Sequence, residues 1–244
     1  MARIDDLLTE ALKLLPTKPA DSAKPDAKKR YSELVSQKVA LAIADELRHR
    51  GLKGARPAGE GEIGDSGAER RMAGGLGAKK VDVTWATEES GLLLGISVKT
   101  INFRDSKTKN FQKNLVNRRG DMLMEAMTLH RRFPYAVLGA LFFFDKGAAT
   151  DNTKTRHSTF ENAHARLQLF TGRSDPAGRE EQFEKFYILL LEASPSSAEI
   201  QAYEVGKKDQ QIPLENILNE LLQLAAQRNP DFYEFVDGKL VRAS

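Results

Sequence analysis

Val35, Val39, Ile43 and Leu47 recur every four residues in "YSELVSQKVALAIADELRHR", the spacing of one helical face. The pattern predicts a helix over 31–50, ended by Gly51. Ahead of it, 4–15 reads as a short amphipathic helix. Residues 16–29 hold three prolines and no large apolar residue, which reads as a linker. The period changes to two in 80–87, "KVDVTWAT", and a second strand covers 91–101, "GLLLGISVKTI". The "EESG" between them is a tight turn, so the pair reads as an antiparallel hairpin. A polar loop at 103–113 leads into a helix over 114–132. "YAVLGALFFF" at 135–144 is the most apolar run and reads as a buried central strand. After a polar loop at 146–157 come a helix over 158–170, strands at 183–193 and 199–205, and a helix over 213–228. Leu214, Ile217, Leu218, Leu221, Leu222 and Leu224 make the apolar stripe of that last helix. This order predicts an α/β domain with a mixed central sheet flanked by helices, over 31–244, preceded by an N-terminal helix and linker over 1–30.

The stretch 51–78 interrupts these patterns. It holds nine of the eighteen glycines and reads as a long flexible loop. Its "GEGEIG" matches a dinucleotide fingerprint only in letters. No strand precedes it, and Glu60 and Glu62 would repel a pyrophosphate. "GGLGAKK" lacks the glycine spacing and the Ser/Thr of a phosphate-binding loop.

Composition narrows the picture. A chain of 244 residues, 41% hydrophobic and 29% charged, is long enough for a sizeable core and has the balance of a soluble globular protein. No apolar run reaches membrane-span length, and the acid-bearing N-terminus lacks the features of a signal peptide. Cysteine is absent, which removes disulfides and thiolate metal sites and fits a cytoplasmic location. The four histidines show no metal-ligand spacing, so zinc is not expected. Net charge is only +3, but 104–119 carries six Lys/Arg against one Asp. Such a segment is either a solvated loop and helix start or a footprint for phosphate.

Two charges stand where strands usually carry apolar residues. Asp82 alternates with Val81 and Val83, and Lys99 follows Val98. The hairpin brings Asp82, Ser97 and Lys99 towards one face, because same-face residues recur every two positions. A structural Asp–Lys pair is one explanation. A site for a hard cation and a water is the other, since oxygen ligands suit Mg²⁺.

"VDV" followed by "GISVK", after a helix and before a basic loop and helix, resembles the PD-(D/E)XK nuclease superfamily, the fold of many type II restriction endonucleases. The resemblance covers roughly 31–145. It implies that Asp82 binds metal, that Lys99 is the motif lysine and that the Val98 carbonyl is an extra ligand. Val81 stands in place of the motif proline, and Ser97 in place of the motif acid. One branch of restriction enzymes shares the S-V-K tripeptide and takes the missing carboxylate from the next helix. Here the choices are Asp121 and Glu125. On a helical wheel Glu125 borders the stripe of Leu115, Met122, Ala126 and Leu129, whereas Asp121 points towards solvent, so Glu125 is preferred. The superfamily also often uses a glutamate from the first helix, for which Glu33 is the best match and Glu46 the second.

The resemblance therefore implies a Mg²⁺-dependent endonuclease acting on double-stranded DNA as a homodimer. Its catalytic set is Asp82, Ser97, Lys99, Glu125 and Glu33, and its metal set Asp82, Val98, Glu125 and Asp121. Lys107, Lys109, Lys113, Arg118 and Arg119 are the candidate phosphate contacts. His130, Arg131 and Arg132 fit a simpler role as cations at a helix C-terminus. The loops 51–78 and 146–157 are the candidates for base readout. A non-cleaving DNA-binding protein with a decayed nuclease fold, and a defence or repair nuclease without sequence specificity, are the competing readings.

Overall fold

The four-residue apolar spacing of 31–50 does form a helix, but the helix starts earlier. In the computed structural model, which describes residues 2–59, 70–194 and 197–243, α2 runs Pro25–His49. Pro25 opens it because the first helical N–H needs no partner and proline already has the helical φ. The linker is thus shorter than 16–29, and residue 30 lies inside α2. The preceding helix α1 (Arg3–Lys13) buries Ile4, Leu8 and Leu12 in the same core as Val35, Val39, Ile43 and Leu47. The N-terminal segment is therefore built into the main core.

The central sheet has six strands, in the order β3 (Val83–Thr87), β4 (Gly91–Ile101), β5 (Val137–Asp145), β6 (Lys185–Ser194), β7 (Ser197–Glu204) and β8 (Gln211–Ile212). β4, β5 and β6 are parallel, and the outer pairings are antiparallel. The sheet is mixed and flanked by helices, as the pattern predicts. α1, α2 and α5 (Leu214–Arg228) cover the face carrying Ile96, Val98, Leu141 and Phe143. α3 (Leu115–His130) and α4 (Thr159–Leu167) cover the face carrying Leu138, Phe142 and Phe144. Because both faces are buried, β5 is apolar throughout rather than alternating.

Two hairpins were not expected. The last third of the glycine-rich stretch enters β1 (Arg70–Gly74) and β2 (Gly77–Val81), paired antiparallel, with "GGLGAKK" supplying the turn and most of β2. Residues 60–64 of "GEGEIG" lie outside the described residues. At the other end, β9 (Tyr233–Val236) and β10 (Lys239–Arg242) turn at Asp237–Gly238, both at positive φ. An Asp-Gly pair between apolar runs is the sequence signal for that turn. Tyr233 packs edge-on against Trp85 of β3, with ring centroids 5.0 Å apart.

One buried acid anchors the sheet. Glu184, just before β6, accepts the N–H of Leu138 at 2.6 Å and is paired with Arg173 at 2.9 Å and Arg228 at 2.6 Å. His130 Nε2 lies 3.3 Å away without hydrogen-bond alignment, while its Nδ1 meets the Glu180 carbonyl at 2.9 Å. His130 is therefore more than a surface cation at a helix end.

The burial of α1 in the common core has a measurable consequence. Leu8→Ala removes a fully packed side chain and should lower the unfolding free energy by about 2–5 kcal/mol in urea denaturation, in one transition. A loss under about 1 kcal/mol, or a separate early transition, would show α1 to be an appendage.

Candidate active site

β3 and β4 separate after the pair Val83–Ile96. From Val98 onward no strand among the described residues pairs with the β3 side of β4, and an unpaired backbone N–H needs an acceptor. Asp82, at the bend between β2 and β3, supplies it: its Oδ2 accepts the Val98 N–H at 2.6 Å. The same oxygen lies 3.2 Å from the Lys99 ammonium. A strand residue's N–H and C=O leave on the same side. The Val98 carbonyl therefore faces this open edge, beside Asp82.

Ser97 and Lys99 face α3. Glu125 comes down from that helix, only 5% exposed, and its Oε2 lies 3.3 Å from Lys99 Nζ. The Lys99 ammonium thus sits between two carboxylates, one from the bend and one from the helix. The Ser97 hydroxyl is buried near Glu125 and favours its charged form slightly, without good hydrogen-bond geometry. A side chain as small as serine leaves room for the glutamate above it. Asp121 is elsewhere: it is exposed and 3.6 Å from Arg118.

The titration of this trio is set by burial against charge. Burial pushes Glu125 up from the usual 4.5; Lys99 pulls it back and Asp82 pushes it further, and the net is upward. Burial alone lowers Lys99, but Glu125 and Asp82 outweigh it and hold the ammonium above 10.5. Lys99 is therefore charged throughout the physiological range.

A cleft of about 740 Å³ opens over this edge. Its floor is Asp82, Val98 and Lys99, and Glu33 of α2 stands on one wall. Glu33 is exposed and only loosely paired with Lys29, at 3.9 Å. Glu46 is not there: it is buried between Arg3 and Arg50, each 2.6 Å away. Lys113 and Arg118 line the opposite wall. Lys107, Lys109 and Arg119 do not line it; Arg119 lies over the Phe170 ring at 5.7 Å.

Lys28 and Lys29, from the first turns of α2, also line the cleft. Reading 16–29 as linker hides them, although Pro25 is a helix-start signal.

The basic segment has its own organiser. Asp105 accepts the N–H groups of Lys107 at 3.0 Å and Thr108 at 2.9 Å and pairs with Lys113 at 2.6 Å. Lys113 and these N–H groups hold its carboxyl well below the usual range. The 146–157 loop is likewise folded around Asp151, which accepts from Phe111 N–H at 3.0 Å and from Thr159 N–H and hydroxyl at 2.6 Å each. This ties the approach to α3 to the start of α4. None of its residues lines the cleft.

The donor set, two carboxylates that meet at one cation position with the Val98 carbonyl on the adjoining strand edge, is of the all-oxygen kind that suits a hard divalent ion. Among the described residues no cluster of three or more His, Cys, Asp or Glu is present. Comparison with family models, with curated proteins and with solved structures gives no match for this chain.

The raised Glu125 value fixes a pH dependence. An acid whose folded value exceeds its unfolded one loses stabilisation as pH rises from the unfolded value, 4.5, through the folded value. Glu125→Gln should therefore gain stability relative to the unchanged protein as pH rises above 4.5. Urea midpoints at a series of pH values measure it. A gap that moves the other way would mean that Lys99 dominates Glu125.

Proposed function

We propose that the chain is a Mg²⁺-dependent endonuclease that hydrolyses phosphodiester bonds of double-stranded DNA, of the type II restriction endonuclease kind with a PD-(D/E)XK core. The observation that carries this reading is the meeting of Asp82, Glu125 and Lys99 at the open edge of β4, under a cleft with Lys113 and Arg118 on its rim. Glu125 supplies from α3 the carboxylate that Ser97 lacks.

A bound Mg²⁺ supplies Lewis acidity and an activated water. Asp82, Glu125 and the Val98 carbonyl would hold it. Lys99 orients the attacking water and offsets the charge that develops on the phosphate oxygens. Water adds to phosphorus opposite the 3′ oxygen. The P–O3′ bond breaks, and the leaving oxygen takes a proton, giving a 3′-hydroxyl and a 5′-phosphate. Lys113 and Arg118 hold flanking phosphates, with Arg118 suited to bidentate contact. Cutting both strands calls for two sites, hence a homodimer. No described helix is long and apolar enough to cross a membrane, and the reading carries a cytoplasmic location with it.

Incubation with long phage DNA and Mg²⁺, with an EDTA control, tests the reading. Discrete fragments are expected. A smear would favour a nuclease without sequence specificity, and binding without cleavage would favour a DNA-binding protein with a decayed site. Asp82→Asn, Glu125→Gln and Lys99→Met should each lower cleavage at least about a hundredfold. Lys113→Ala and Arg118→Ala should instead weaken binding and each reduce its salt slope by about 1. Unimpaired cleavage in the Asp82 and Lys99 variants would end the site assignment.

A further inference from the structure

The Lys99 ammonium, at the floor of the cleft, is held back by two acids. Its ammonium lies 3.2 Å from Asp82 and 3.3 Å from Glu125, and its side chain is largely buried between them. A divalent ion bound by the same two oxygens would lie at roughly 2.0–2.6 Å from each. Such an ion competes with the ammonium for the same two oxygens.

Resting on the nuclease reading, we propose that Lys99 is a positioning residue that acts first as the site's internal counter-cation. It keeps the two carboxylates together until a divalent ion displaces it, and that displacement delivers the ammonium to the cleft.

Three features carry this. The two carboxylates come from separate elements, the β2–β3 bend and α3, and the ammonium is the cation that pairs with both. Glu125 is buried and does not line the cleft, whereas Lys99, which touches it, does. Lys99 lines the open cleft, which gives its flexible four-carbon stem somewhere to go. A divalent ion neutralises both carboxylates and releases the ammonium to pair with a phosphate on the cleft side. Lys99 therefore stabilises the metal-free site and competes with the metal, while serving the reaction once displaced.

Calcium is a suitable probe, because binding can be read without DNA or cleavage. In calorimetric titrations, Lys99→Met should bind Ca²⁺ at least tenfold more tightly than the unchanged protein. The charge-keeping Lys99→Arg should show no such gain. In thermal melts, Lys99→Met should be less stable in chelator and should gain more from Ca²⁺. Should Lys99→Met fail to fold, the unchanged protein still decides the question. Its Lys99 ammonium, held by two ion pairs, should give a protected ¹⁵N NMR signal that Ca²⁺ shifts or exchanges away. Equal or weaker Ca²⁺ binding by Lys99→Met, or an ammonium signal unmoved at saturating Ca²⁺, overturns the inference. The outcomes separate cleanly. If Ca²⁺ binds and Asp82→Asn abolishes it, the metal site stands even where the Lys99 result is negative. If the unchanged protein binds no Ca²⁺, the nuclease reading and this inference fall together.

Discussion

No strand among the described residues pairs with the N–H of Val98, and the Asp82 carboxylate takes that place at 2.6 Å. Much of the site depends on that substitution of a side chain for a strand. β3 pairs with β4 only as far as Val83 and Ile96, so the last residues of β4 become an edge in the middle of the protein. An edge of this kind must be capped or covered. Asp82 caps its first exposed amide, while α2 and the approach to α3 stand off on either side and leave the cleft between them. The acid that repairs the sheet also lines the cleft that opens at this edge.

Ser97 is the second consequence of the same geometry. It faces α3, from which Glu125 brings its carboxylate to Lys99. A glutamate at 97 would have to share this space with Glu125, and serine avoids the conflict. With serine at 97 and glutamate at 125, the ammonium has two acids to answer, one from the β2–β3 bend and one from the helix.

What the sequence could reveal follows from the range of the forces involved. Periodicity reports which face of an element is buried, so α2, α3, α5 and the central strands are legible, and the helical wheel separates Glu125 from Asp121. The wheel works because burial on one helix face is a local property. Lys28 and Lys29 were hidden for a smaller reason: three prolines made 16–29 look uniform, although the third of them begins a helix. β1 and β2 carry too few apolar residues to show a period of two. The 146–157 loop looks free by composition, but Asp151 ties it to Phe111 and Thr159, residues that chain order does not bring together. Glu46 illustrates the same limit. It sits on α2 much as Glu33 does, and only the arrival of Arg3 and Arg50 shows it to be a structural partner.

Glu184 and Glu125 show why a buried acid alone says little about function. Both are almost fully removed from water, and burial pushes both carboxyls upward. Around Glu184 that push is overcome by His130, Arg228 and the Leu138 N–H, so its carboxyl ends below the ordinary value. Every oxygen has a firm partner, and the group acts as a clamp between β5, β6 and α5. Around Glu125 the described residues supply one ammonium, shared with a second carboxylate, and its carboxyl ends above the ordinary value. The first site is compensated by firm partners on both oxygens. The second brings two acids together on a shared lysine, and burial with the neighbouring carboxylate outweighs that lysine at Glu125. That difference lies in the balance between burial and compensation at each carboxyl, which no single position in the sequence displays, and it is the physical reason for reading Asp82, Lys99 and Glu125 as chemistry and Glu184 as architecture.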